Sequence, residues 1–321
     1  MNTFFRKWVY YYKRAVRFLF RDLWNLDFSR LSKMNQRFIN DLKVLVITLK
    51  NYIDLRVGRE AVSLSFYSTM AIVPMVAGIL FVTSGLGLDE ALSKALYTAF
   101  PTSTTMIDYV LQAAQKIISS LQNGLFGIIS FTSFIWLVFS LMLSVEESFN
   151  RIWKVDKARE IWKRFLVYFG IFFLAPLLLL LFCYGIFYFT TFSQALQAKL
   201  TVLKFITTWV YWLVFYGLTV AVFSLVYKFV PHIKVHYAYG FKAAIVAAVA
   251  FVVVQYLYIE TQMMVTRVGA VYGVLAAIPL FMVWMNINWQ IILFGAELSY
   301  GFQKVASYDL QKEPWVILTK L

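Results

Sequence analysis

The sequence predicts an all-α membrane protein with six transmembrane helices, both termini in the cytoplasm, and an amphipathic N-terminal helix lying in the lipid interface. Three observations carry this. Apolar residues make up 61% of the 321-residue chain and charged residues 14%, against about 25% charged in an ordinary soluble domain. Six runs reach the roughly 20 apolar residues that a span needs. Lys and Arg are concentrated on alternate loops, as orientation in a bilayer requires.

The N-terminal arm comes first. In FFRKWVYYYKRAVRFLFRDLW, helical spacing puts Phe5, Trp8, Tyr12, Val16, Leu19 and Leu23 on one face. Arg6, Lys7, Lys13, Arg14 and Arg17 fall on the other. With Trp8 at the boundary, this is the pattern of a helix on an anionic lipid surface. Packing on the protein's own cytoplasmic loops is the alternative. RNA binding by the same residues would need a nucleic-acid module, and no such module is visible. The segment lacks the apolar core and cleavage site of a signal peptide. A single cysteine, Cys183, excludes an internal disulfide framework and a Cys-based zinc site. The expected division is an arm at 1–44, a membrane domain at 45–305 and a cytoplasmic tail at 306–321.

The spans are expected at about 61–85, 124–147, 165–192, 205–230, 238–262 and 274–300. Only helices or closed barrels satisfy the backbone within hydrocarbon, and these runs are too long and too evenly apolar for barrel strands. The chain up to Arg59 holds thirteen Lys and Arg, and the loop NRIWKVDKAREIWKR holds six. With Lys228, Lys234, Lys242, Lys304, Lys312 and Lys320, 25 of the 30 basic residues fall on one side, the cytoplasmic one. Topology therefore accounts for most of the net charge of +14 without nucleic acid. Between the first two spans, residues 86–123 should carry one or two amphipathic helices. Thr102 to Thr105 could cap one, and Ile107, Val110, Leu111, Ala114, Ile117, Ile118 and Leu121 recur at helical spacing after them.

Polar groups inside the spans are the candidate site. On the last span Asn286, Gln290 and Glu297 share one face, which Gly301 continues, while Asn288 and Trp289 point elsewhere. On the second span Ser130, Ser133, Ser140, Ser144 and Glu147 cluster, and Glu146 points away toward cytoplasmic basic residues. These groups are either helix–helix hydrogen bonds or the lining of a cavity. Pro74, Pro176 and Pro279 lie inside spans and should kink them. Small residues Gly240, Ala243, Ala244, Ala247 and Ala248 should let neighbouring helices approach closely. Catalysis finds little support. His232 and His236 lack further ligands to complete a metal set. Phosphate-loop, nucleophile-elbow and zinc-protease motifs are missing, so neither metal nor cofactor is expected.

Three stretches resemble the YihY/BrkB family of bacterial inner-membrane proteins. They are AVSLSFYSTMAIVPM (61–75), YKFVPHIKVHYAYGFKAA (227–244) and YGVLAAIPLFMVWMNINWQIILFGAEL (272–298). The positions that carry the likeness are Tyr67, Pro74, Pro231, Tyr272, Gly273, Gly295 and Glu297. The resemblance covers about 45–305. It implies a six-helix protein of the cytoplasmic membrane with both termini inside. Members of that family carry labels of ribonuclease, serum-resistance factor and candidate exporter of lipid precursors.

The expected function is transport or accommodation of a lipid or other amphiphile in a polar cavity between kinked helices. Asn286, Gln290, Glu297, Glu147, Ser140 and Ser144 would line it. The expected partners are anionic membrane lipids, with an envelope protein or a second copy of the chain as further candidates. A scaffold that recruits envelope proteins is the alternative, and a membrane-bound hydrolase or nuclease is the weakest reading.

Overall fold

The computed structural model describes residues 22–25, 32–85, 104–120, 124–155, 159–160, 162–164, 203–267 and 270–308, with isolated positions between 90 and 97 and at 166 and 168. Over 73–85, 124–131, 203–208 and 265–278 it describes backbone and few side chains. The expected interfacial residues Arg6, Lys7, Trp8, Lys13, Arg14 and Arg17 lie outside the described residues, as does Pro176 with nearly all of the third expected span.

Among the described residues the regular structure is helical: a short 3-10 turn, Asp22–Trp24, followed by seven helices. These are α1 (Lys33–Asp54), α2 (Val57–Gly85), α3 (Thr104–Ser120), α4 (Gly124–Ile152), α5 (Leu203–Phe229), α6 (Tyr237–Arg267) and α7 (Ala270–Lys304). The amphipathic helix expected between the first two spans is α3. By length and composition, three segments among the described residues can cross a membrane: Trp212–Phe229, Tyr237–Gln262 and Pro279–Lys304. Pro279 sits within α7, its ring exposed on the outer face.

Helix α1 differs from the expected division of the chain. It runs unbroken across the boundary placed at 44/45. Ser32 caps it, its hydroxyl accepting from the Asn35 N–H at 3.3 Å. Its second half buries Val44, Val46, Ile47, Thr48 and Asn51. Apolar window length is the signal for spans, and this helix mixes polar with apolar residues, so it stayed below that signal. Arg56, with φ of 53°, then reverses the chain into α2.

Turn chemistry defines the opposite junctions. At the end of α4 the Val155 N–H donates to Asn150 O at 2.9 Å and the Lys154 N–H to Arg151 O at 3.1 Å. This is a Schellman closure with Lys154, φ 52°, in the left-handed position where glycine is usual. Helix α5 stops just before Pro231, which has no N–H to continue it. The 230–236 turn is then held from several sides. His232 N–H donates to Asn150 Oδ1 at 2.8 Å, Arg159 Nη2 to Phe229 O at 2.8 Å, and His236 N–H to Gln303 Oε1 at 2.9 Å. These bonds bring the end of α4, the α5–α6 turn and the end of α7 to one basic end of the bundle.

Helix α7 is central. It packs against α6 and α2, then α1, with α4 and α5 also in contact. The core follows from this: Tyr227, Phe149, Ile47, Leu64 and Leu293 are fully buried around it. Ala243, Ala244, Ala247 and Ala248 are buried too, as the small-residue stripe predicts. The outward faces are the reverse of a soluble protein's: Leu213, Val249, Val253, Leu257, Phe66 and Val283 are exposed. An apolar exterior suits hydrocarbon as solvent.

One contact sets how near α5, α6 and α7 come. A Cβ at Gly295 would lie 2.0 Å from the Tyr227 hydroxyl oxygen and 2.8 Å from Ala247 Cβ. Gly295→Ala should therefore lower thermal unfolding in detergent by an amount typical of overpacking, about 1–3 kcal/mol. Adding Tyr227→Phe, which removes the nearest atom, should recover part of that loss.

Candidate functional site

The polar face of α7 is covered by α1. The 100° turn per residue places Asn286, Gln290, Glu297 and Gly301 on one side of α7. At Gly301 a Cβ would stand 3.1 Å from Val44 Cγ1 and 3.2 Å from Thr48 Oγ1, so the two helices touch closely there. Moving back along α7, the Thr48 hydroxyl reaches Glu297 O at 3.5 Å. Asn51 faces the Glu297 carboxyl. The Tyr52 hydroxyl donates to Gln290 Oε1 at 3.3 Å, and Gln290 Nε2 donates to Asn286 Oδ1 at 2.6 Å. Burial pushes the Tyr52 phenol above the usual tyrosine range, which keeps it a donor. Beside the seam, Lys50 bonds the Tyr308 hydroxyl at 3.2 Å and pairs with Asp54 at 3.6 Å.

The seam is polar but incompletely paired. Glu297 is 0% exposed, and neither carboxyl oxygen has a hydrogen-bond partner. Asn51 Nδ2 and Asn286 Nδ2 are also buried without one. Each such group costs on the order of 1–3 kcal/mol in lost hydration. The cation facing Glu297 is Lys154, from the turn that closes α4. Its ammonium also lies 5.7 Å from the Tyr300 ring centroid.

The second expected stripe is rearranged. Glu147 is exposed, on the outside of α4. Its neighbour Glu146 is the buried one: it pairs with Arg164 at 3.3 Å and accepts from Tyr168 and from Asn150. The expectation that Glu146 turns away from the stripe to a basic residue of the following loop holds, while Glu147 lies exposed and not in a buried stripe. Arg164 and Tyr168 come from the loop and the start of the next segment, so the choice between adjacent glutamates was made by tertiary partners. Ser144 is half-buried, and its hydroxyl bonds its own helix, donating to Ser140 O at 2.9 Å. Arg151, at the end of the same helix, pairs with Glu60 of α2. Ser148 also bonds Glu60, at 3.3 Å.

Two residues that the sequence turned away from this face, Asn288 and Trp289, do lie off it. Asn288 is buried with both amide atoms unpartnered. It shares a face with Gly295 and Ser299, toward Tyr227 of α5 and Gly240 of α6. The spacing 288, 295, 299 could have shown it, had Gly295 been read as a packing surface. Trp289 donates to Ser68 of α2 at 2.9 Å. Of the family-like positions, Tyr67 is half-buried and Pro231 buried. Pro74, Tyr272 and Gly273 lie on helices described there by backbone. His232 accepts from Arg159 at 3.2 Å. Among the described residues no cluster of three His, Cys, Asp or Glu residues could hold a metal.

The helical bundle, its apolar exterior and its polar central helix define an integral α-helical membrane protein. The chain belongs to the family described as Virulence factor BrkB, which it matches over residues 48–316. It is similar to a UPF0761 membrane protein of Acinetobacter baylyi, 28% identical over 85% of this chain and 65% of that protein. A UPF0761 membrane protein of Paraburkholderia xenovorans is 30% identical over 76% of this chain and 56% of its own length. One of Actinobacillus pleuropneumoniae is 26% identical over 74% of this chain and 84% of that protein. The chain thus spans about half to two thirds of several of these relatives. No solved structure matches it.

The buried pair Glu146–Arg164 offers a stability test. Arg164→Met should destabilise the protein by about 3–5 kcal/mol, because it strands a buried charge. The double variant with Glu146→Gln should recover much of that loss in thermal unfolding.

Proposed function

We propose that this is a six-span protein of the bacterial inner membrane, both termini cytoplasmic, that moves or accommodates a lipid or other amphiphile along the polar face of α7. The observation that carries the reading is the α1–α7 seam. Asn286, Gln290 and Glu297 run along a helix long enough to cross a bilayer, and a shorter amphipathic helix lies over them. An ionisable group buried in such a helix is a mark of a substrate or ion pathway. The unpaired amides and carboxyl favour a surface that meets another occupant when α1 moves. Basic residues around the same end, Arg56 and Lys154 among them, suit an anionic headgroup. Glu147, Ser140 and Ser144 drop out of this path: the first faces outward, and the Ser144 hydroxyl is spent on the Ser140 carbonyl.

A non-transporting scaffold is the second reading, and the closure of the seam favours it. Membrane anchoring and partner recruitment need no opening at all.

Transbilayer movement of a fluorescent anionic lipid in liposomes carrying the purified protein separates the two. Transport predicts movement above protein-free liposomes, lowered at least tenfold by Asn286→Leu and by Gln290→Leu, with Glu147→Gln unchanged. No movement in any variant, with the protein folded, sinks the transport reading and leaves the scaffold.

A further inference from the structure

The Glu297 carboxyl is an unusual buried group. It is 0% exposed, neither oxygen meets a partner at full hydrogen-bonding distance and angle, and the Asn51 amide stands against it. A carboxyl shut away from water in this manner takes a counter-cation or a proton. The surroundings decide between them. A metal cation needs several oxygen ligands and room for them. One turn along the seam the helices are in contact, with Val44 Cγ1 3.1 Å from where a Cβ of Gly301 would stand. Among the described residues the charged group that faces Glu297 is itself a cation, Lys154, which would repel a second. A proton needs no space.

We propose that Glu297 is a proton-binding site, sealed by α1 and opened when α1 leaves α7. A neutral carboxyl offers one O–H donor and one carbonyl acceptor, the same complement as the Asn51 carboxamide. With the proton in place the two side chains match: the O–H can donate to Asn51 Oδ1 while the carboxyl C=O accepts from Nδ2. When α1 separates, water reaches Glu297 from the basic end. The O–H bond breaks, the proton passes to water, and the carboxylate left behind faces Lys154. Proton release and exposure of the Asn286–Gln290–Glu297 face are then a single event. The inference rests on the proposed function in taking α1 as movable, and names the ligand of that same face. The proton itself is measurable without transport.

The test is infrared spectroscopy of the purified protein in lipid nanodiscs, reading the carbonyl stretch of protonated carboxylic acids in H2O and D2O. The expected result is a band that shifts in D2O and is lost in Glu297→Gln. Asn51→Leu, which keeps the carboxyl and removes its partner, should shift the same band. This second variant decides the matter if Glu297→Gln does not fold. A band that is missing in the wild type, that survives in folded Glu297→Gln, or that stays in place in Asn51→Leu overturns the proposal. Lipid movement failing while the band behaves as expected would sink the transport reading and leave the proton site standing.

Discussion

The close approach of α5 and α7 at Gly295 is the constraint on which the rest depends. The Tyr227 phenol occupies the space that any larger residue at 295 would need. That contact sets the rotation of α7 as well as its distance from α5. With Gly295 and Ser299 turned to α5 and α6, the 100° step of the helix turns Asn286, Gln290 and Glu297 the other way. They then face a gap that only an element from outside the main bundle can fill. Helix α1 fills it, and Gly301 lets α1 come close on that side, with Val44 Cγ1 3.1 Å from where a Cβ would stand.

The same rotation explains why α7 carries polar residues on two sides. Toward α5 and α6 lie Asn288 and Ser299, near the buried Tyr227. Toward α1 lies the seam. Helix α7 packs against α1, α2, α4, α5 and α6, and its outward residues, Val283 and Ile287 among them, are apolar. Its polar groups therefore cost desolvation against protein and not against hydrocarbon, a smaller cost because partners such as Tyr52, Thr48 and Ser68 are within reach. The residues still unpaired, Glu297 foremost, are the weak points of an otherwise closed packing.

The basic end of the bundle is tied by side chains, not by helix length. Asn150, Arg159 and Gln303 each bond a backbone group of the 230–236 turn or its flank. The Schellman turn that follows α4 puts Lys154 under Tyr300 and opposite Glu297. The proposed proton site is thus assembled from three parts of the chain at once: Asn51 from α1, Lys154 from the α4 turn and Glu297 from α7.

The helical membrane class was legible in the sequence. Apolar run length and the sorting of Lys and Arg are local properties that the bilayer imposes on any chain. The amphipathic helix α3, the small-residue stripe of α6 and the shared face of Asn286, Gln290 and Glu297 were legible for the same reason, since each is a matter of helical period. Tertiary structure alone decided what those faces meet. Periodicity assigned Glu147 to the interior, yet one step of 100° separates it from Glu146, and the partners Arg164 and Tyr168 chose the latter. Helix α1 was hidden because its polar half resembles an ordinary surface helix until Thr48, Asn51 and Tyr52 are set against α7. A period names the residues on a face; the partner of that face depends on residues hundreds of positions away.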